Sequence, residues 1–125
     1  MKINEAISEA DSLEPNQYTY QDKITWLSRL DLQVKNEVFD THHYNAGETP
    51  VEFDGYGEED GDEDLLVGEP FAEMYIYWLS AQINYHNREY DGFNAANAMF
   101  DSVYTNFKNK YHAEHKPKGV NKRFY

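Results

Sequence analysis

The chain has 125 residues, the length of one domain, a formal net charge of −12 at pH 7 and no cysteine. Without thiols there is no disulfide framework and no cysteine-based catalysis, which suits a reducing compartment, and no apolar run reaches the roughly 20 residues that a membrane-spanning helix requires. The charge is uneven. Residues 1–107 hold 22 acidic against 5 basic side chains, about −17, whereas residues 108–125 hold six basic residues against Glu114, about +5. An acidic body repels nucleic acid at long range, and a basic end on such a body predicts two surfaces with different partners.

In chain order, MKINEAISEAD lacks a hydrophobic signal core, so the chain is expected to stay in the cell that makes it. Ile3, Ala6, Ile7, Ala10 and Leu13 recur at helical spacing and predict a short amphipathic helix over 3–13. Pro15 ends it, because proline disfavours helical geometry in the residue before it. Thr19 is the expected N-cap of a second helix over 20–41, with Asp22 three residues on to favour the positive end of the dipole. Its stripe is Tyr20, Ile24, Leu27, Leu30, Val34 and Val38. Asp31 interrupts that stripe, and a buried carboxylate needs partners. The expected role is structural, a hydrogen bond to a loop or a neighbouring helix end. No second convergent group argues for catalysis.

Residues 42–69 lose the helical period and contain ten acids, with glycines at 47, 55, 57, 61 and 68. Six carboxylates crowd into seven positions: Glu58, Glu59, Asp60, Asp62, Glu63 and Asp64. Lys35 is the last base before them and Arg88 the first after them. Glycines and mutual repulsion predict mobility over 54–64. The short apolar pieces Val51–Phe53 and Leu65–Val67 are expected to dock on the bundle or to pair as a small ribbon.

A third helix is expected from Pro70 to His86. Phe71, Met74, Tyr75, Trp78, Ala81, Gln82 and Tyr85 make one face, and Ile76, Leu79 and Ile83 a second strip nearly opposite. A helix apolar on two sides is either central or shared with another subunit. Few positions in a four-helix domain are fully central, so Ile76, Leu79 and Ile83 are expected to form a subunit contact. After a tight turn at Asn87-Arg88, a fourth helix is expected over 89–113, with Phe93, Ala96, Phe100, Val103, Tyr104, Phe107 and Tyr111 as its stripe. Pro117 and Gly119 end regular structure. The fold class expected is all-α: an antiparallel bundle of about four helices over 1–115, an acidic loop between helices 2 and 3, and an extended basic C-terminal tail over 116–125.

Chemical motifs are sparse. Asp60, Asp62 and Asp64 have the alternation of a calcium loop, but Leu65 stands where its glycine belongs and Phe71 where its bidentate glutamate belongs. His42-His43 and the pair His112 and His115 lack a third ligand, so neither a structural metal nor a cofactor is expected. The phosphate-binding glycine loop, the nucleophile elbow and the paired zinc histidines are missing, and a non-enzyme is expected.

The stretches EPNQYTYQDKITWLSRLD (14–31), DLLVGEPFAEMYIYWLSAQINYHNREYDGFN (64–94) and FKNKYHAEHKPK (107–118) together resemble a group of small proteins encoded near the capsid genes of tailed phages and prophages of Gram-positive bacteria, the head-tail connector or head-completion proteins. The likeness covers most of the chain and is weakest at the acidic loop, which is longer than the family leads one to expect, and after Lys118. It implies a helical-bundle subunit of a homo-oligomeric ring, typically of twelve, in the virion neck after synthesis in the bacterial cytoplasm. It implies the portal protein and tail-proximal neck or tail proteins as partners, with DNA passing through the channel without specific binding and no membrane involved. Carried onto this sequence, Glu58–Asp64 would line the channel or its rim. Lys116, Lys118, Lys122, Arg123, Phe124 and Tyr125 would anchor on the portal or a neighbour, the two aromatics filling a pocket. The alternative from another class is an acidic DNA mimic that occupies the DNA-binding site of a host protein. A weak calcium-binding module is a third.

Overall fold

The computed structural model describes residues 1–119. It is all-α, with four α-helices in the order α1 (Ile3–Leu13), α2 (Tyr20–Val34), α3 (Met74–His86) and α4 (Tyr90–Glu114). Among the described residues there is no strand, only two isolated antiparallel bridges, Lys2 with Asp64 and His42 with Pro117.

The α1 stripe buries Ile3, Ala6, Ile7 and Ala10, while Leu13, at the helix end, is left exposed. At the start of α2 the Thr19 hydroxyl accepts from the Asp22 N–H at 3.0 Å and the Asp22 carboxylate accepts from the Thr19 N–H at 3.1 Å, so two orphan donors are satisfied reciprocally. The α geometry of this helix ends earlier than periodicity predicts. A single π turn, Lys35–Phe39, follows, closed by Asp40 N–H to the Lys35 carbonyl at 2.9 Å. The wider turn brings two consecutive residues, Val38 and Phe39, into the core.

Pro70 does not open α3. Residues 68–73 form successive tight turns instead, with Phe71 N–H on the Gly68 carbonyl at 3.0 Å and Met74 N–H on the Phe71 carbonyl at 3.1 Å. Phe71 still reaches the bundle, edge-on to Phe107 at 5.7 Å. The α3–α4 hairpin turns at Asn87-Arg88, where Arg88 takes the left-handed φ of 61°.

The second strip of α3 corrects a sequence expectation. Leu79 and Ile83 are 0% and 1% exposed within the single subunit, and Ile76 is half-buried. α3 packs against α1 and α2 as well as α4, so its second apolar side is covered by the chain's own helices. Leu79 and Ile83 are core residues, and the strip they were expected to offer a neighbouring subunit does not exist.

Polar side chains tie the helices at their edges. Lys23, 4% exposed, pairs with Asp11 at 2.7 Å between α2 and α1. The Glu14 carboxylate accepts from the Ser80 hydroxyl and, at 2.7 Å, from the Asn84 side-chain amide. Asn84 in turn touches α4 at Gly92, where an added Cβ would lie 2.2 Å from its Oδ1. Gly92→Ala would gain helix propensity at an exposed site, yet here it must push back a buried side chain held by Glu14 and Ser80. The clash outweighs a propensity gain of about 1 kcal/mol. Net destabilisation of about 1–2 kcal/mol is expected in urea unfolding, removed in large part when Asn84→Ala is combined with it.

Candidate functional site: an acidic loop and a basic end

The loop after the π turn packs on the bundle. Val51 and Tyr56 pack against the core, and Leu65 and Val67 are buried in it at 5% and 1% exposure. The apolar pieces dock on the bundle and do not pair as a ribbon. Asp31 is the point that holds them. Its carboxylate is 0% exposed and accepts the Tyr75 hydroxyl at 2.6 Å and the Leu66 N–H at 3.1 Å, together with the Tyr56 hydroxyl. The Tyr75 hydroxyl also accepts the Val67 N–H at 2.9 Å. Burial pushes the Asp31 carboxyl above its ordinary value, while the two tyrosine hydroxyls and the Leu66 amide pull the other way. Burial next to that carboxylate raises Tyr56 and Tyr75 as well. With no exposed surface, Asp31 meets no substrate; it clasps the loop to α2 and α3, the structural role expected of it.

The acidic stretch then crosses the start of α1. That helix begins at Lys2, which lacks an oxygen-bearing capping side chain, and the loop's backbone supplies what is missing. Ile3 N–H donates to the Glu63 carbonyl at 3.0 Å and Asn4 N–H to the Gly61 carbonyl at 2.9 Å, while Leu65 N–H donates to the Met1 carbonyl at 2.9 Å. Glu58–Asp60 form one 3₁₀ turn, with the Asp60 carboxylate accepting the Gly57 N–H at 2.7 Å. Gly61 sits so close to Asn4 and the Tyr20 hydroxyl that a Cβ would approach each within 2.6 Å. Over 61–65, repulsion among side chains acts on the outside, and backbone hydrogen bonds to a helix start act on the inside.

The carboxylates themselves stay outside. Among the described residues, none of Glu58, Glu59, Asp60, Asp62, Glu63 and Asp64 is in an ion pair. Lys2 Nζ reaches the Asp62 backbone carbonyl at 3.0 Å and no carboxylate. The crowding shows in the neighbours' protonation. Glu63 is raised by its hydrogen bond to Asp60 and by the Asp60 and Glu59 charges, and Tyr20 is raised by burial and by Asp62, Glu58 and Asp60.

The basic end lies elsewhere. Lys116 and Lys118 flank Pro117, which bridges to His42; His43 N–H donates to the Lys116 carbonyl and Lys118 N–H to the Thr41 carbonyl, both at 2.8 Å. So the segment is fastened beside residues 41–43 rather than free from residue 116, with both lysine side chains on the exposed surface. Lys122, Arg123, Phe124 and Tyr125 lie outside the described residues. Nearby acids are largely paired: Asp40 with Lys35 at 2.9 Å, Glu114 with Lys110 at 3.3 Å and Glu48 with His115 at 3.0 Å. The acidic stretch contacts Asn4 and Tyr20, at the first residue of α2, while the basic segment joins residues 41–43 beyond its far end. The acidic stretch thus lies against the starts of α1 and α2, and the basic segment lies beside residues 41–43, past the π turn.

The histidines are arranged differently from their sequence spacing. His112 and His115 do not meet each other. His112 contacts His42, and His115 stacks on Tyr111 at 3.8 Å and faces Glu48. Among the described residues, no three His, Asp or Glu side chains converge as a metal-binding set, and no helix is long and apolar enough to cross a membrane. Compared with protein-family models, with curated proteins and with solved structures, the chain finds no match in any of the three.

Proposed function

We propose that this chain is a structural subunit of a tailed-phage or prophage virion, a head-tail connector that assembles as a ring on the portal and extends the DNA channel. The observation that carries the reading is that the carboxylates of 58–64 and the lysines of 116–118 lie on different parts of the subunit. One presents six carboxylates, none in an ion pair, on a backbone fixed to α1. The other presents Lys116 and Lys118 on a fastened segment that leads on to Lys122 and Arg123. A subunit with two such ends suits a neck position. The acidic end, at the channel or its rim, repels duplex DNA and keeps the wall from binding it. The basic end meets the portal or a neighbouring subunit, with Phe124 and Tyr125 as apolar anchors. The resemblance in sequence supports the same reading, and with it the ring, typically of twelve, the neck and tail proteins as further partners, and the virion as the site of action.

The unpaired carboxylates also favour a second reading, an acidic DNA mimic bound to a host DNA-binding protein. That reading leaves the basic end without a task. Co-purification with a phage portal protein separates the two. Reversing Lys116, Lys118, Lys122 and Arg123 to glutamate is expected to weaken portal binding about fourfold or more at moderate salt, a loss of about 0.2–1 kcal/mol per contact. Replacing the six loop carboxylates by their amides is expected to leave it unchanged. A mimic would show the opposite pattern, with binding to a DNA-binding protein lost in the amide variant alone.

A further inference from the structure

The end of α4 is joined to the segment after the π turn by two imidazoles, with His42 Nε2 and His112 Nδ1 3.0 Å apart. On the other side of its ring, His42 Nδ1 lies 2.8 Å from the Val38 carbonyl, which can only accept, so that nitrogen carries a proton. The Thr41 hydroxyl is 3.0 Å from the same nitrogen, but its proton goes to the carbonyls of Glu37 or Val38, at 2.8 and 3.0 Å, and it too accepts from the ring. In neutral His42 the Nε2 is then a lone pair, and His112 donates to it from Nδ1. His42 is 8% exposed, whereas His112 is on the surface.

The titratable and charged groups around the pair are few. Tyr111 of α4 stands edge-on to His42 at 5.3 Å, and burial holds its hydroxyl up at about 12. His115, stacked on Tyr111, donates to Glu48 of the loop. Glu48 is held below the usual carboxylate range by the Asn45 N–H and by His115, and stays ionised through mild acid. On the π turn, the Glu37 carboxylate accepts the Tyr104 hydroxyl at 2.9 Å, and Asp40 is paired with Lys35. On α4, Glu114 is paired with Lys110. The adjoining His43 is exposed, and Lys116 is the nearby cation of the C-terminal segment. Among the described residues no carboxylate is hydrogen-bonded to either imidazole of the pair.

We propose that the His42–His112 pair is a proton-gated clasp on the C-terminal segment, closed with no added proton or one and open with two. The first proton goes to the solvent-facing Nε2 of His112. The bond from Nδ1 to His42 stays in place and becomes charge-assisted, hence stronger. The second proton has only His42 Nε2 to occupy, where the bond itself lies. Two N–H groups then face each other on two cations, and the contact breaks. The two steps belong to the pair as a unit. Opening it loosens what the same segment holds, the His42–Pro117 bridge and the bonds of His43 and Lys118, so residues 116–118 come away from residues 41–43. This inference concerns a contact within the fold and stands apart from the connector reading.

The test is amide exchange with imidazole ¹⁵N spectroscopy on the intact chain from pH 8 to 5, the range in which imidazoles titrate. At pH 8 the spectra are expected to show His112 protonated on Nδ1. Protection factors at His43 and Lys118 are expected to rise as the first proton binds, then fall at least tenfold while Leu79 and Ile83 of α3 stay protected. His112→Gln keeps a side chain that can donate or accept, so it serves both states of His42; its protection is expected to be flat over the same range. The opposite tautomer of His112, a wild-type profile like that of the variant, or a fall shared with α3 would overturn the clasp.

Discussion

Asp31→Ala is expected to be among the most damaging single changes in this chain, lowering stability by about 4 kcal/mol. The substitution removes a side chain that ends three hydrogen bonds and leaves the Tyr75 hydroxyl, the Tyr56 hydroxyl and the Leu66 N–H without their acceptor. A buried donor left unsatisfied costs about 1–3 kcal/mol, and the small cavity adds to it. A loss of that size lowers the melting temperature of a domain this long by about 15 °C. Asp31→Asn keeps the volume and one acceptor oxygen, so about half that loss is expected. Stability should also depend on pH through this group. Asp31 titrates higher in the folded chain than in the unfolded one, so the native state binds the proton more tightly. Its contribution is therefore most favourable at low pH and is lost as pH rises from the ordinary aspartate range through the raised value. Relative to wild type, Asp31→Asn should thus fare better above that window than below it. Urea unfolding of the three proteins between pH 3 and 8 checks both points. An alanine variant within 1 kcal/mol of wild type would mean that the loop does not depend on this carboxylate.

Ile83→Lys is expected to unfold the subunit rather than to separate subunits. Ile83 is 1% exposed and belongs to the apolar core cluster, where an ammonium would be stripped of water. Burying an unpaired charge costs about 5 kcal/mol or more, comparable with the whole stability of a domain of this size. The lysine can escape only by breaking the packing of α3. Loss of the far-ultraviolet helical signal and of a cooperative melt is the expected outcome. A folded, cooperatively melting variant that merely fails to assemble would restore the strip to an interface.

Local rules carried most of the helical architecture. The α1 limits, the Thr19 cap and the Asn87-Arg88 turn each follow from side chains within four residues, and that range is legible in sequence. Asp31 was conspicuous as a carboxylate in an apolar stripe, and its need for donors was readable, but not which donors. Tyr56 and Tyr75 lie 25 and 44 residues away, and nothing local marks two tyrosines out of eleven. The α3 strip was misread because periodicity reports that a face is covered, not by what. A short α1 packing on α3 is a tertiary fact. The backbone contacts of the acidic loop were not legible for a related reason. Composition speaks for side chains, whereas this loop is held by its backbone carbonyls on the orphan N–H groups of α1. The absence of an N-cap side chain at Lys2 was the one available hint. The His42–His112 contact joins residues 70 apart and left no sequence signal beyond the histidines themselves.

Native mass spectrometry of the chain mixed with a portal ring, at physiological ionic strength, decides whether it is a connector subunit. The expected result is a discrete closed assembly carrying multiple copies of the chain on one portal ring, twelve being the expected number. A chain that remains monomeric in the presence of an intact portal ring would contradict it.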